Sequence, residues 1–314
     1  MVNFLGSNNL TAIVTGSSKG LGNHIASSLA KAGYNIVIHY NKSKKDAENL
    51  EKKLSKITNC IIVKGDISKY NDASKIVKQS IRKFSKIDVL VNNGGIHEDS
   101  IVSKMDIKTW NKVIEVNLGG VFNMSKAVLQ TMQNQKFGRI INISSFTAIT
   151  GIAGASNYAA SKAGIIGFSK SLAKEVAHYN ITINTIAPGY FDIGMFYDIN
   201  PKQRKLILKK IPAKRLGNPN EIAELIQIII SSKYTTGQTF VLDGGYSIWK
   251  SNFTGIDLNL LSVKILIPIF RKKSLRSSVN SFSVPWIVQL FKFINILFLK
   301  NFICSKEKII VNSS

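Results

Sequence analysis

Tyr158 and Lys162 stand four residues apart in "NYAASKAG", residues 157–164, a run otherwise rich in small side chains. On a helix, positions i and i+4 share a face one turn apart. A phenol and an ammonium would therefore point at a common spot with little bulk to keep a ligand away. A phenol ionises near pH 10 in water, and an ammonium close by favours the phenolate. The pair has the make-up of a tunable general acid. An ordinary surface helix could carry the same spacing, so the rest of the chain must decide between the two.

A second stretch, "TGSSKGLG" at 15–22, places Gly16, Gly20 and Gly22 around Ser18, Lys19 and Leu21. Glycines there let the backbone turn tightly and approach a ligand. A helix that starts at such a turn offers unpaired N–H groups and a positive dipole to a pyrophosphate. In a dinucleotide fold an acid at the end of the second strand binds the ribose 2′-OH and selects NAD. That place is taken by Tyr40, followed by Asn41 and Lys42, and no acid occurs before Asp46. With Lys19 in the glycine turn and Lys42 nearby, the site is expected to favour the extra phosphate of NADP(H).

The elements that would position these residues recur along the chain. Short apolar, β-branched runs lie at 12–16, 35–40, 60–66, 87–93, 138–145, 181–189 and 238–245. Helical periodicity fills the gaps, as in "GLGNHIASSLAKAG" and "DASKIVKQSIRKF". Apolar strands separated by helices predict an α/β, doubly wound fold with a seven-stranded parallel sheet, in one domain over residues 1–248.

Residues 249–314 differ in character and read as a basic, partly amphipathic C-terminal extension. Nine of the 42 basic residues and two of the 18 acids fall in 251–314. In "VPWIVQLFKFINILFLKNF", Gln289, Lys292 and Asn295 project within an arc of about 120°, with Lys300 beside it. This is the pattern of a helix lying at a membrane surface rather than crossing it, since a lysine within a span is costly. Packing on another subunit is the competing reading. The whole chain carries a formal charge of +24, which suits anionic partners, although a lysine-, asparagine- and isoleucine-heavy composition gives the same balance. No nucleic-acid partner is expected. Cys60 and Cys304 lie far apart without a metal or disulfide pattern, and the first residues lack a signal peptide's basic and apolar regions. A cytoplasmic setting, peripheral to the membrane if the extension binds it, is the expectation.

The motifs occur in a specific order: "TGSSKGLG", "GDI" at 65–67, "NNGG" at 92–95, "VNLGG" at 116–120, "NISS" at 142–145, "YAASK" at 158–162 and "PG" at 188–189. With them, residues 8–248 resemble the short-chain dehydrogenase/reductase family. Within it, "FGRIINISS" and "NYAASKAGIIGFSKSLAKEVA" are most similar to 3-oxoacyl-[acyl-carrier-protein] reductases and acetoacetyl-CoA reductases.

The resemblance implies a Rossmann fold, a homotetramer and NADPH-dependent reduction of a 3-oxoacyl thioester, carried by acyl carrier protein or CoA. It implies a catalytic set of Asn117, Ser145, Tyr158 and Lys162. Tyr158 would protonate the carbonyl oxygen, Lys162 would lower its pKa and hold the nicotinamide ribose, and Ser145 would orient the carbonyl. Asn117 would hold a water that relays protons to Lys162. The cofactor would lie along Gly16, Ser18, Lys19, Gly20, Leu21, Gly22, Asn41, Asp66, Ile67, Asn93, Gly95, Tyr158, Lys162, Pro188, Gly189 and Phe191.

Two positions depart from the family pattern. Gly94 replaces the usual alanine, and Ile193 replaces a threonine whose hydroxyl would reach the nicotinamide carboxamide, a loss of ~0.5–1.5 kcal/mol. Ser144 lies one residue too far from Tyr158 to replace Ser145. Lys136 and Arg139 could meet an acidic carrier, while His24, His39, His97 and His178 share no spacing and read as structural or exposed. Reduction of another carbonyl compound, or a dinucleotide-binding protein that works through its basic tail, remains open at this level.

Overall fold

The computed structural model describes residues 9–248. The expected C-terminal extension, with its amphipathic helix, its membrane contact and its boundary at residue 249, lies outside the described residues. Among the described residues no helix is long and apolar enough to cross a membrane.

Seven strands, β1 (Thr11–Val14), β2 (Asn35–Tyr40), β3 (Cys60–Lys64), β4 (Val89–Asn92), β5 (Gly138–Ile143), β6 (Ile181–Pro188) and β7 (Thr239–Leu242), form one sheet. Their order is β3-β2-β1-β4-β5-β6-β7 and every pairing is parallel. Successive side chains on a strand point to opposite faces, and the strands are apolar on both. Ala12, Val14, Ile36, Ile38, Val89, Val91, Ile141 and Ile143 line one core. Their alternates Ile13, Val37, Leu90 and Ile140 line the other.

Helices cover both faces. α1 (Gly20–Lys31), α2 (Lys44–Leu54) and α9 (Pro219–Ser231) bury residues against the first core. α3 (Tyr70–Phe84), α5 (Gly120–Gln135) and α7 (Ser156–Val176) close the second. Three further α-helices are α4 (Ile107–Ile114), the single turn α6 (Thr147–Thr150) and α8 (Pro201–Lys210).

The strand order reverses between β1 and β4. In open parallel sheets ligands bind outside the carboxyl ends of the strands at such a switch point. The loop after β1 holds the glycine turn, the loop after β4 holds Asn93–Gly95, the loop after β5 holds Ser145, and β6 ends at Pro188 with Gly189 following. The fold thus delivers to one edge the motifs that the sequence scatters over more than a hundred residues.

Candidate active site

Lys162 is buried on α7, and its Nζ donates to the Ile143 carbonyl at the end of β5 at 2.8 Å. Burial pulls its pKa down to about 8. The ammonium stands 5.6 Å from the centre of the Tyr158 ring, one turn earlier, so the two side chains do share a face. Ser144 donates its hydroxyl to the Lys162 backbone carbonyl at 2.8 Å. That bond spends Ser144 on fixing α7 against β5 and leaves Ser145 to face the site.

The Tyr158 phenol is pushed up to about 12 by burial, with a hydrogen bond to Ser145 acting in the opposite direction and the Asp99 carboxylate adding to the rise. In the chain by itself, desolvation is the largest influence on this phenol. A phenol so placed keeps its proton at neutral pH, the state required of an acid that protonates a carbonyl oxygen. The Ser145 hydroxyl also accepts from the Thr147 backbone N–H at 3.2 Å, which orients its oxygen.

Asn117 lies in a π-helical turn, Glu115–Gly119, between α4 and α5. Such widened turns expose backbone and recur at functional sites. Three hydrogen bonds hold its side chain. Nδ2 donates to the Ile96 carbonyl (2.9 Å) and to the Ser161 hydroxyl (3.0 Å), while Oδ1 accepts from the Ile96 N–H (2.8 Å). Ser161 in turn donates to the Tyr158 carbonyl at 2.7 Å. Asn117 therefore ties the loop after β4 to the helix that carries Tyr158 and Lys162. Ser161, within "YAASK" but between the two marked residues, gave no signal of this part in the sequence.

The glycine turn is shaped for a ligand's backbone approach. Gly16 and Gly20 hold φ of +63° and +58°, a region that side chains other than glycine rarely adopt. A Cβ on Gly22 would overlap the Gly16 carbonyl, whereas one on Gly20 would meet nothing within 4 Å. The chain is thus packed on its inner side and open on its outer side, at the start of α1. Lys19 makes no side-chain cap there, so the helix N-terminus is free to receive an anion. These residues fit a dinucleotide pyrophosphate.

His39 secures this turn, a role without a sequence signal. The Gly16 N–H donates to its Nδ1 at 3.0 Å and its Nε2 faces the Gly65 carbonyl at 3.1 Å. These partners require the neutral ring with the proton on Nε2, and burial lowers its pKa accordingly. Asn93 and Gly94 close the other side: both N–H groups donate to Thr15 Oγ1 at 2.9 Å, and Asn93 Nδ2 donates to the Thr15 carbonyl at 3.0 Å. A Cβ on Gly94 would come within 3.0 Å of the Ile67 Cδ1, the tip of a flexible side chain, so the departure from alanine is a small one.

The remaining expected cofactor residues divide. Asn41, Asp66, Ile67, Pro188 and Gly189 all follow or close strand ends at the same edge. One Asp66 oxygen accepts from the Ser68 N–H and hydroxyl. Ile67 is buried beneath Gly94 and Gly120 and acts as floor. Leu21 is half-buried on the first core, and the Phe191 ring sinks into that core against Gly217, which leaves Phe191 only its backbone to offer. Ile193 also packs on that core, which accounts for an apolar residue there. Arg139 is 1% exposed and donates to three backbone carbonyls, of Gly138, Asn180 and Ile230. It cannot meet a carrier protein, contrary to the expectation from its position before β5.

The family model described as short chain dehydrogenase matches residues 10–204. A 3-oxoacyl-[acyl-carrier-protein] reductase of Synechocystis sp. is 40% identical over 240 residues, 74% of this chain and 95% of that protein. The 3-oxoacyl-[acyl-carrier-protein] reductase FabG of Chlamydia trachomatis is 40% identical over 242 residues, 76% of this chain and 97% of its own length. A crystal structure described as a short-chain alcohol dehydrogenase from Sinorhizobium meliloti 1021 superimposes with a TM-score of 0.72 at 29% identity, covering 76% of this chain and 96% of that one. Matched over nearly the full length of these proteins, with the tyrosine, lysine, serine and asparagine gathered at one sheet edge, the chain belongs to the short-chain dehydrogenase family of oxidoreductases.

Proposed function

We propose that the chain reduces a 3-oxoacyl thioester to the 3-hydroxyacyl thioester with NADPH. The observation that carries the reading is the convergence of a protonated Tyr158, its Ser145 partner and a buried Lys162 on one site, in a chain 37–40% identical to several 3-oxoacyl-[acyl-carrier-protein] reductases. When bound, NADPH supplies the hydride. The Ser145 hydroxyl donates to the substrate carbonyl oxygen and orients it. Tyr158 gives its proton to that oxygen as negative charge develops there. Lys162 stabilises the phenolate left behind, with N–H groups beyond the one held by Ile143 available to the cofactor's ribose. General acid catalysis of this kind contributes ~10²–10⁴-fold, and fixed dipoles around the developing charge add to it.

Preference for the phosphorylated cofactor is supported by the end of β2. Tyr40 is buried, no acid follows it before Asp46, and the exposed Lys19 and Lys42 make no ion pair among the described residues. The test is consumption of NADPH and of NADH by the full chain with acetoacetyl-CoA. Turnover that prefers NADPH is expected. Binding of NADPH without turnover would turn the reading toward another carbonyl substrate.

A further inference from the structure

We infer that the solvent face of α8 is a docking surface for an acidic protein domain that carries the acyl group, an inference that rests on the thioester reductase reading. Between residues 199 and 220 the chain has seven lysines and arginines and no acid. At about 100° per residue, Lys202, Lys205, Leu206, Lys209 and Lys210 fall within an arc of about 140°. All five are exposed, whereas Arg204, Ile207 and Leu208, on the opposite side, are half-buried. The four lysines make no ion pair among the described residues, while Arg215 further on is held by Glu221. A stripe of unpaired cations around one exposed leucine matches an acidic surface with an apolar centre.

Contacts between rings tie this helix to the site. Phe146, next to Ser145, packs on Tyr190 with ring centres 5.0 Å apart, and Tyr190 packs on Phe196 at 5.9 Å. Phe196 meets Tyr197 at 5.8 Å, and the Arg204 guanidinium lies 5.5 Å from the Tyr197 ring. The inward face of α8 is thus anchored to the loops around Ser145, and its outward face is positioned to hold a carrier beside them.

The stripe is also too long for one phosphate. From residue 202 to 210 a helix rises about 12 Å, which spreads the charge over a protein-sized patch. It suits a membrane less well, because a helix that lies in an interface needs a broad apolar face. Here that face is turned inward and Leu206 alone is left outside.

The test pairs the wild-type chain with Lys202→Glu/Lys205→Glu/Lys209→Glu. A control, Lys78→Glu/Arg82→Glu/Lys83→Glu on exposed positions of α3, alters the net charge by the same amount. Binding of fluorescently labelled holo-acyl carrier protein is measured for all three, together with KM and kcat for acetoacetyl groups on that carrier and on CoA. A loss of about 10-fold or more in carrier affinity and a matching rise in KM on the carrier are expected for the α8 variant alone, with kcat and the CoA reaction unchanged. The wild-type affinity should fall as salt is added. Equal loss in the control, equal loss with CoA, no carrier binding by wild type, or binding only to phosphatidylglycerol vesicles would overturn the docking surface. Carrier binding lost in the α8 variant, with no turnover by wild type, would uphold the surface and remove the reductase reading instead.

Discussion

Asn117 and Lys162 face one point above Gly95. A Cβ built on Gly95 would stand 3.0 Å from Asn117 Oδ1 and 3.6 Å from Lys162 Nζ. The missing side chain is what separates the two polar groups by a gap instead of a methyl group. Gly95→Ala would fill that gap and press on an asparagine whose hydrogen bonds already fix it. Small misplacements in a site of this type are costly, so a fall of about 10- to 100-fold in kcat/KM is expected with little change in thermal stability. Steady-state kinetics beside a melting curve check this, and wild-type turnover in the variant would show the gap to be unused.

The two titrating groups set the pH dependence. Lys162 loses its positive charge as pH rises through about 8, while Tyr158, held at about 12, keeps its proton. Reduction should therefore slow on the alkaline side with the loss of the ammonium, not with ionisation of the phenol. A kcat/KM profile for reduction that bends downward near about pH 8 is the expected result. Lys162→Met should remove the bend along with most of the rate.

His39 makes the fold sensitive to acid. Its pKa is lowered in the folded chain by burial, so between the folded value and about 6.5 the unfolded chain binds the extra proton. Stability from this group is complete above about pH 6.5 and declines as pH falls, by at most about 1.4 kcal/mol per unit, until the folded value is reached. Protonation would also remove the acceptor of the Gly16 N–H. Urea titrations at neutral and mildly acidic pH should show a larger loss in wild type than in His39→Gln.

Arg139 is a structural cation. Its guanidinium joins the start of β5 to the carbonyl of Ile230 at the end of α9 and to Asn180 before β6, and it covers the Phe137 ring at 4.4 Å. Arg139→Met would take a donor from the carbonyls of Gly138 and Ile230, both in buried hydrogen bonds, and one from that of Asn180. A destabilisation of about 3 kcal/mol or more is expected. Activity per folded molecule should be unchanged. A denaturant midpoint close to wild type would contradict this role.

The strands were legible because each is a short apolar run, as in "NIVIHY", which the structure places at 35–40 as expected, and "GRIINISS" at 138–145, whose strand ends two residues earlier at Ile143. The Tyr158–Lys162 pair was legible because a single helix carries both residues. What the chain conceals are contacts made across the sheet. Arg139 resembled a surface cation until α9 supplied the Ile230 carbonyl ninety-one residues away. His39 showed no partner spacing because its ring bridges two loops that are distant in sequence. The π turn at Glu115–Gly119 does not alter the apolar periodicity enough to be seen. The pKa of Tyr158 depends on how deeply the phenol is enclosed, which spacing alone does not express.

The most direct test of the central claim is a comparison of wild type with Tyr158→Phe for NADPH oxidation by acetoacetyl-CoA, with NADPH affinity measured on both by fluorescence. The phenyl ring keeps the packing and loses only the proton donor. Active wild type, a loss of ~10²–10⁴-fold in kcat for the variant, and nearly equal cofactor affinity are expected. A variant that turns over as fast as wild type would contradict the assignment of Tyr158 as the acid, and with it the reading of this site.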